Sequence, residues 1–429
     1  MFVLETDTIE LESKRIPVII ITFKLAVKNS FPIEKSEARK IKDNSMSDNV
    51  IILGAGASFA TGIPLMAGFV EKMWEFATRK QVNGKPMSQN DIDTFQKAIK
   101  IRNELDSYHG RALYNDRNLE DILSILTFDE MLQSKRKKDK LLWFTKAISR
   151  TIELTCSVKH DGNNSLQELS RGEYRLFWNH ILYNYVRRNI KIPVIISLNY
   201  DLVLERALFH CLIGTNLRLS KLSIDGIEIG YHYDPVGDFQ YVVEQAKFDI
   251  GEDVEREEVG TILEKGHVEN SIRVEILKLH GSLNFPKRKM EEPQLLVRPV
   301  EEPFILPPII NKMSSAKSIT KMWGIALQRL RSAKNVIIVG YSMPWTDIYM
   351  QYFLKTALGP NLDLNRIHVF DPVLYRNDAT SQEMKERYAA CFSPQLQNRI
   401  VFRHQQRGNI EKGTFEHFVK LLGSSDILF

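Results

Sequence analysis

The chain has 429 residues, of which 43% are hydrophobic, so its apolar side chains can form the core of one large or two to three ordinary domains. Its 58 basic and 53 acidic residues leave a net charge of only +5, which does not by itself indicate direct nucleic-acid binding. The composition excludes a mainly disordered chain and gives no reason to expect a nucleic-acid partner.

The three cysteines, Cys156, Cys211 and Cys391, lie far apart and form no C-x-x-C pair. Because such a pair is the usual sign of a zinc site or a redox switch, we expect no metal here. Widely spaced cysteines in odd number are typical of a reducing compartment, and we expect a cytoplasmic protein.

We expect neither a membrane-spanning segment nor an export signal in the N-terminal region. Its most apolar run, Ile16–Val27, is interrupted by Lys24 and is shorter than the roughly 18 apolar residues of a membrane-spanning helix. It follows an acidic stretch, whereas a secretory signal begins with basic residues. We interpret residues 1–45 as an N-terminal extension. A second interpretation, that translation begins at Met46, stays open.

The first predicted strand, Asn49–Leu53, ends in glycines and precedes a predicted helix over Leu65–Arg79, where apolar residues recur at helical spacing. Amphipathic patterns with few glycines then predict a helical insertion over about residues 80–190. Pro193–Leu198 is the next predicted strand. Short apolar pieces, glycines and charge clusters over about residues 213–275 predict a small β-rich or irregular lobe.

Three further strands alternate with helices in the second half of the chain. The strands are Val274–Leu279, Asn335–Val339 and Arg366–Phe370, and the helices cover about residues 320–332 and 347–358. Repeated strand, loop and helix units are typical of a doubly wound sheet. We therefore predict an α/β fold with a Rossmann-like parallel sheet, in one domain over residues 46–429, and a ligand at the carboxyl ends of the strands.

A glycine-rich segment lies between the first strand and its helix. It reads Gly54-Ala55-Gly56-Ala57-Ser58 and, after three residues, Gly62-Ile63-Pro64. Glycines let a ligand approach the backbone, and main-chain N–H groups at the start of a helix can hold a pyrophosphate. A Gly-x-Gly pair alone is equally typical of a structural turn, so the rest of the sequence has to decide between the two.

Four segments occur in the same order as motifs of the sirtuin (SIR2) family and resemble them. The glycine segment resembles Gly-Ala-Gly-x-Ser-x-x-x-Gly-Ile-Pro. The other three are Leu198-Asn199-Tyr200-Asp201, similar to Gln-Asn-Ile-Asp, Lys278-Leu279-His280-Gly281-Ser282, similar to Leu-His-Gly, and Val339-Gly340-Tyr341-Ser342, similar to Gly-Thr-Ser. Together they cover about residues 49–375.

A closer resemblance is to the SIR2-like proteins of bacterial anti-phage systems, carried by Asn118-Leu-Glu-Asp-Ile-Leu, Ile305-Leu-Pro-Pro and Gly340-Tyr-Ser-Met-Pro-Trp-Thr-Asp347. Those proteins typically hydrolyse NAD⁺, so the resemblance implies an NAD⁺ glycohydrolase that depletes NAD⁺ in abortive defence. It also implies a homo-oligomer and a separately encoded partner, such as a HerA-type ATPase or a short Argonaute-like protein.

Two departures separate the chain from the protein deacylases of the family. The four-cysteine zinc module that follows the His-Gly segment in those enzymes is absent. The chain also has Pro64-Leu65-Met66 where deacylases usually have Pro-Asp-Phe-Arg. Both departures favour hydrolysis of NAD⁺ over deacylation, because hydrolysis needs only the bound dinucleotide, polar groups around the ribose and water.

The resemblance places three residues in catalysis. A histidine with an ordinary pKa near 6.5 is suited to general-base chemistry at neutral pH, and we assign that role to His280. Asn199 can position the ribose or the water, and Asp201 can fix the loop or stabilise positive charge on the ribose. The residues assigned to NAD⁺ binding are Gly54, Ala55, Gly56, Ser58, Gly62, Gly340, Tyr341, Ser342 and Asp371.

Alternatives remain open at several of these positions. Asp201 could cap the helix that begins at Leu202, Ser58 and Ser342 could form turns, and Asp371-Pro372 could be an ordinary turn rather than a ribose contact. Two other functions also remain open: a protein deacylase or ADP-ribosyltransferase, and a non-catalytic scaffold that senses NAD⁺ or ADP-ribose.

Overall fold

The computed structural model describes residues 47–108, 115–132, 139–158, 172–208, 211, 226–233, 237–242, 271–287, 297–306, 317–376, 378–403 and 414–424. All of them lie in the compact unit Ser47–Phe429. The predicted extension over residues 1–45 lies outside the described residues.

The described strands are β1 Asn49–Leu53, β2 Gln81–Val82, β3 Lys85–Pro86, β4 Val194–Ser197, β5 Gly226–Tyr233, β6 Gly237–Val242, β7 Ser271–Lys278, β8 Gly281–Pro286, β9 Pro303–Ile305, β10 Asn335–Val339, β11 Arg366–Phe370 and β12 Ile400–Arg403. Eight of them form one sheet in the order β12-β11-β10-β1-β4-β7-β5-β6. Seven of these run parallel, and β6 pairs antiparallel with β5 at the edge.

The described helices are α1 Ala55–Ser58, α2 Met66–Arg79, α3 Gln89–Tyr108, α4 Leu119–Leu132, α5 Asp139–Thr155, α6 Glu173–Arg188, α7 Lys317–Arg331, α8 Ile348–Leu358, α9 Ala379–Ala389, α10 Pro394–Gln397 and α11 Thr414–Ser424. Residues 203–208 are also helical. Short 3₁₀ turns occupy Phe59–Thr61 and Pro372–Tyr375.

Helices cover both faces of the sheet. On one face α6 packs against α11 and against the segment 203–208, where the indole N–H of Trp178 donates to the carbonyl of Leu204 at 2.9 Å. On the other face α7 packs against β5 and β7, and Trp323 meets Phe353 of α8 edge to face at 5.0 Å. Because both faces are covered, β1 and β10 are buried along their whole length, which explains their continuous apolar sequences. The predicted doubly wound, Rossmann-like sheet is confirmed.

A separate helical layer consists of α2, α3, α4 and α5, which pack on one another. The rings of Phe76 and Phe95 pack in its interior at a tilt, with centroids 5.1 Å apart, and Arg150 pairs with Asp91 through two hydrogen bonds of 2.5 and 3.0 Å. We predicted the insertion over about residues 80–190. The layer also takes in α2, whereas α6 packs against α11 and the segment 203–208, and the bounds of the insertion stay a prediction.

Most of the predicted lobe over residues 213–275 lies outside the described residues. Its described part, β5 and β6, extends the main sheet at the edge next to β7. The hairpin of β8 and β9 had no counterpart among the predicted elements. In the part of the chain that the structure describes, no helix is both long and apolar enough to cross a membrane.

A buried ion cluster joins β7 to α7. Arg329 donates to both carboxylate oxygens of Glu275 at 2.6 Å, and the His232 ring lies 3.3 Å from the same carboxylate. Burial raises the pKa of Glu275, but hydrogen bonds from His232 and Arg329 outweigh it and lower the pKa from 4.5 to about 2. The ionised carboxylate is therefore the form that stabilises the fold.

We predict that this cluster contributes on the order of 3 kcal/mol above pH 4.5. A lowered carboxyl pKa means that the stabilisation is lost as the pH falls from about 4.5 towards 2. Urea unfolding of wild type and Glu275→Gln should differ by about 3 kcal/mol at pH 7 and by clearly less at pH 3. A difference that is the same at both pH values would contradict the prediction.

Candidate functional site

The register of the parallel strands brings five loops to one edge of the sheet. Leu53 is level with Ser197 and Val339, Ser197 with Lys278, and Val339 with Phe370. The loops that begin immediately after these strand ends carry the predicted site residues Gly54, Asn199, His280, Gly340 and Asp371. The structure therefore brings segments that are far apart in sequence to one edge, with Asn199 next to the glycine loop.

The centre of this edge is a topological switch point. From β1 the chain leads to β4 and β7 on one side, and later returns to β10 and β11 on the other side of β1. The loops after β1 and β10 consequently diverge to opposite faces and leave a crevice, which is where open α/β sheets bind their ligands.

The loops after β1 and β10 touch through their backbones. The N–H of Gly54 donates to the carbonyl of Val339 at 2.9 Å, and the N–H of Gly56 donates to that of Gly340 at 2.9 Å. A Cβ on Gly54 would lie 2.5 Å from the carbonyl oxygen of Gly340, and one on Gly56 would lie 2.9 Å from its Cα. These glycines are thus required for packing between the loops, and two of their N–H groups are already used.

The helix predicted over Leu65–Arg79 is α2, Met66–Arg79, and a short helical stretch that was not predicted precedes it. One turn of α-helix, α1, passes into the 3₁₀ turn Phe59–Thr61 before α2 begins. Gly62 has a φ of 90°, and a Cβ there would lie 2.6 Å from the carbonyl oxygen of Thr155. Gly62 therefore allows the loop to pack closely against the end of α5. Ala55, at the start of the loop, is exposed at the crevice.

Asn199 fastens the glycine loop to the neighbouring strand. Its side-chain amide donates to the carbonyl of Gly54 at 2.9 Å and to the hydroxyl of Ser58 at 3.0 Å. The Ser58 hydroxyl also lies 3.3 Å from that of Tyr174 on α6. Ser58 is almost completely buried, so its hydroxyl points into the protein, and its predicted contact with NAD⁺ stays a prediction.

Asp201 caps the helical segment 203–208. Its carboxylate accepts from the N–H of Val203 at 3.0 Å, in the capping geometry that the sequence left open. Burial raises the pKa of this carboxyl, while the Lys278 ammonium and a hydrogen bond from Ser58 oppose the rise without cancelling it. The carboxyl lies in the interior behind Asn199.

His280 occupies the two-residue turn between β7 and β8 and is 7% exposed. Its carbonyl accepts from the N–H of Leu306 at 2.8 Å, and its ring lies between those of Tyr200 and Trp323, with centroids 6.5 and 6.4 Å away. The following residue, Gly281, has a φ of 87° and directly faces the carbonyl of Phe304. The neighbouring aromatic rings and the bonded backbone therefore restrict the orientation of the His280 imidazole.

The remaining predicted contacts lie on the far side of the crevice. The Tyr341 hydroxyl donates to Asp347 at 2.9 Å and is buried, whereas Ser342 is exposed and its carbonyl accepts from Arg387 at 3.1 Å. Asp371 accepts from the N–H of Val373 at 2.9 Å, which is the Asp-Pro turn that was the alternative to a ribose contact. Burial raises the pKa of the Asp371 carboxyl against that hydrogen bond.

Sequence reasoning did not single out three buried polar residues behind these loops: Tyr174, Glu205 and Lys278. The signal for Lys278 was present, since a lysine ends an otherwise apolar strand that a parallel sheet buries on both faces. Glu205 gave the same signal among Leu202, Val203, Leu204 and Ala207. Among the described residues, no cluster of three or more His, Cys, Asp or Glu side chains is arranged to hold a metal ion.

No protein-family model matches the chain, and no curated protein matches it. A solved structure described as a SIR2 homolog–NAD complex aligns with 92% of this chain and 95% of its own chain, at 11% sequence identity and a TM-score of 0.33. At that TM-score the alignment carries no argument about family, ligand or activity. Those conclusions have to rest on the residues of the site.

We predict that Gly340→Ala destabilises the protein by about 3 kcal/mol or more. Gly340 has a φ of 66°, and a Cβ there would lie 2.3 Å from the backbone nitrogen of Ala57. The matched control is Gly84→Ala, because Gly84 has a φ of 77° but open space around its Cβ position.

The control variant should lose only the roughly 1–2 kcal/mol of left-handed strain. Chemical unfolding of both variants measures the difference, which isolates the contact between the two loops. Equal losses for the two variants would show that the loops separate freely.

Proposed function

We propose that the chain is a SIR2-like NAD⁺ glycohydrolase, which cleaves the bond between nicotinamide and ribose at the carboxyl edge of the sheet. The observation that carries the proposal is the shared edge: the glycine loop, Asn199 and His280 follow three adjacent parallel strands at one level. Four segments with the order and residue types of the sirtuin motifs support the same assignment.

The proposed substrate lies along the edge, with its phosphates at the glycine loop. Strands are about 4.8 Å apart, so the loops of His280 and Asp371, four strand intervals from each other, are separated by roughly 20 Å. This favours nicotinamide and its ribose towards His280 and adenosine towards Asp371. Because Gly54 and Gly56 use their N–H groups for the neighbouring loop, the phosphates approach the exposed side of Ala55.

In the proposed reaction the C–N bond to nicotinamide breaks and its electron pair leaves with nicotinamide. Water then attacks the positively charged ribose carbon and gives its proton to His280. The products are nicotinamide and ADP-ribose. Asn199 holds the glycine loop and the ribose side in one geometry, and the buried Asp201 keeps the Asn199 loop in place by capping the segment 203–208.

Hydrolysis is favoured over deacylation by the residues after the glycine loop. Leu65, 42% exposed, and Met66 stand where the deacylases have an acidic and an aromatic residue before their arginine. An apolar pair at this position provides no polar contact for nicotinamide placement or for an acylated substrate.

The biological role we propose is that of a cytoplasmic anti-phage effector which depletes NAD⁺ once a trigger acts. Unregulated cleavage would harm the host, so the activity has to be restrained by assembly or by a partner. A homo-oligomer and a HerA-type ATPase or short Argonaute-like protein encoded nearby are the proposed forms of that control. The sequence resemblance supports this proposal.

We predict that the purified chain, with its encoded neighbour and trigger present, converts NAD⁺ to nicotinamide and ADP-ribose. His280→Ala should lower kcat by about 100-fold or more, because general-base catalysis contributes that much. Asn199→Ala should lower kcat and raise KM, because it also releases the glycine loop. Chromatographic quantification of both products measures these changes.

The matched control is His180→Ala on α6, since His180 lies beside Gly423 of α11 and away from the edge. It should retain wild-type activity. Intact NAD⁺ under triggering conditions, or full activity of His280→Ala, would overturn the proposal. Calorimetric binding without turnover would favour a sensing scaffold, and ADP-ribose on a macromolecule would favour a transferase.

A further inference from the structure

A buried ion pair lies directly behind the Asn199 loop. The ammonium of Lys278, the last residue of β7, is 3.1 Å from the carboxylate of Glu205, and the two side chains are 1% and 0% exposed. The hydroxyl of Tyr231 also donates to Glu205, at 2.8 Å. Removing two charges from water is expensive, and an apolar pair of similar volume stabilises a fold as well or better. Stability alone therefore does not explain this pair.

The ammonium of Lys278 has a second bond, to the catalytic loop itself. It donates to the main-chain carbonyl of Asp201, while the Asp201 carboxylate accepts from the N–H of Val203 at 3.0 Å. The backbone of Tyr200 is bound from the next strand, β8, since its carbonyl accepts from the N–H of Leu283 at 2.9 Å. The loop is thus fastened to the strand that carries His280.

Lys278 occupies a particular place between the proposed catalytic groups. His280 follows it by two residues on the same chain, and Asn199 precedes Asp201 by two residues on the loop that it binds. One ammonium group therefore fixes the strand end of His280 to the loop of Asn199. Besides its bonds from Asn199, the glycine loop has two backbone anchors, from Gly54 to Val339 and from Gly56 to Gly340.

We propose that Lys278, with Glu205 as its counter-ion, is the positioning residue that sets the geometry between Asn199 and His280. This rests on the proposed NAD⁺ hydrolysis. Because the Asn199 side chain is still present and the glycine loop keeps its backbone bonds to Val339 and Gly340, loss of Lys278 should reduce turnover and leave dinucleotide binding nearly unchanged.

The test separates positioning from stability through a double variant. Lys278→Met alone leaves Glu205 buried without its cation and should unfold at lower urea concentration. Lys278→Met with Glu205→Met removes both charges, so stability should return, but the bond to the Asp201 carbonyl stays absent. We expect kcat to fall by roughly 10- to 100-fold in this double variant, as for small misplacements of reacting groups. The KM for NAD⁺ should change by less than about threefold.

A matched control exists on the same strand. Glu275 and Arg329, 9% and 12% exposed, form an ion pair on the opposite face of β7, and Glu275 lies three residues before Lys278. Replacing both of them by Met should keep kcat within about twofold of wild type. If the Lys278–Glu205 double variant regains both stability and full kcat, the pair serves the fold alone and the inference is overturned.

A readout that does not need activity distinguishes this inference from the function on which it rests. Amide hydrogen exchange at Val203 and Leu283, which bond to the loop, should accelerate in the Lys278–Glu205 double variant and not in the control. Unchanged exchange would show that Lys278 does not hold the loop, whatever the enzyme does. Faster exchange in the double variant would still show that Lys278 holds the loop if the wild-type protein never cleaved NAD⁺. In that case the catalytic role of Lys278 would fall together with the proposed function.

Discussion

The backbone contact between the loops after β1 and β10 is the constraint on which the rest of the site depends. Main-chain groups of Gly54 and Gly56 bond directly to those of Val339 and Gly340, at distances that leave no room for a Cβ. At a switch point the two chains diverge to opposite faces, so this contact is what closes the floor of the crevice. Any ligand has to bind the surface that remains above that floor.

The side chains behind the floor form a continuous buried network, because buried polar groups need partners. Asn199 connects the floor to β4, Ser58 and Tyr174 connect it to α6, and Lys278 connects the Asn199 loop to β7. Several of the polar side chains that could take part in a reaction therefore point into the protein. The site is preorganised by hydrogen bonds between secondary-structure elements, and a change at one member displaces its neighbours.

Much of the fold could be predicted because buried parallel strands have continuous apolar sequences that end at glycine or at turn residues. The bounds of β1, β10 and β11 agree residue for residue with the predicted strands. β12 was missed, since its apolar run, Ile400–Phe402, is only three residues long and the strand is half-buried at the sheet edge. The hairpin of β8 and β9 was missed because its strands pair across a separation in sequence that no local pattern reveals.

The sequence predicted which loops form the candidate site, but it did not predict the hydrogen bonds and ion pairs that hold those loops together. Motif order placed Gly54, Asn199 and His280 on strand ends, and the register put those ends level. The inward direction of the Ser58 hydroxyl depends on α1 ending after one turn, and the partner of Lys278 lies 73 residues away in sequence. Such contacts follow from tertiary packing, which composition and periodicity do not encode.

The two faces of β7 show how differently one strand can bury charge. On one face Glu275 meets Arg329, Arg273 and His232, and its pKa falls to about 2 although it is buried. On the other face a single ammonium, Lys278, serves both Glu205 and the Asp201 segment, and burial keeps the pKa of Asp201 raised. The Glu275 cluster stabilises the fold, whereas the Lys278 pair lies beside the loops of the proposed reaction. Buried carboxyl groups with raised pKa values are enriched at functional sites, and Asp201 is such a group at the end of the Asn199 loop.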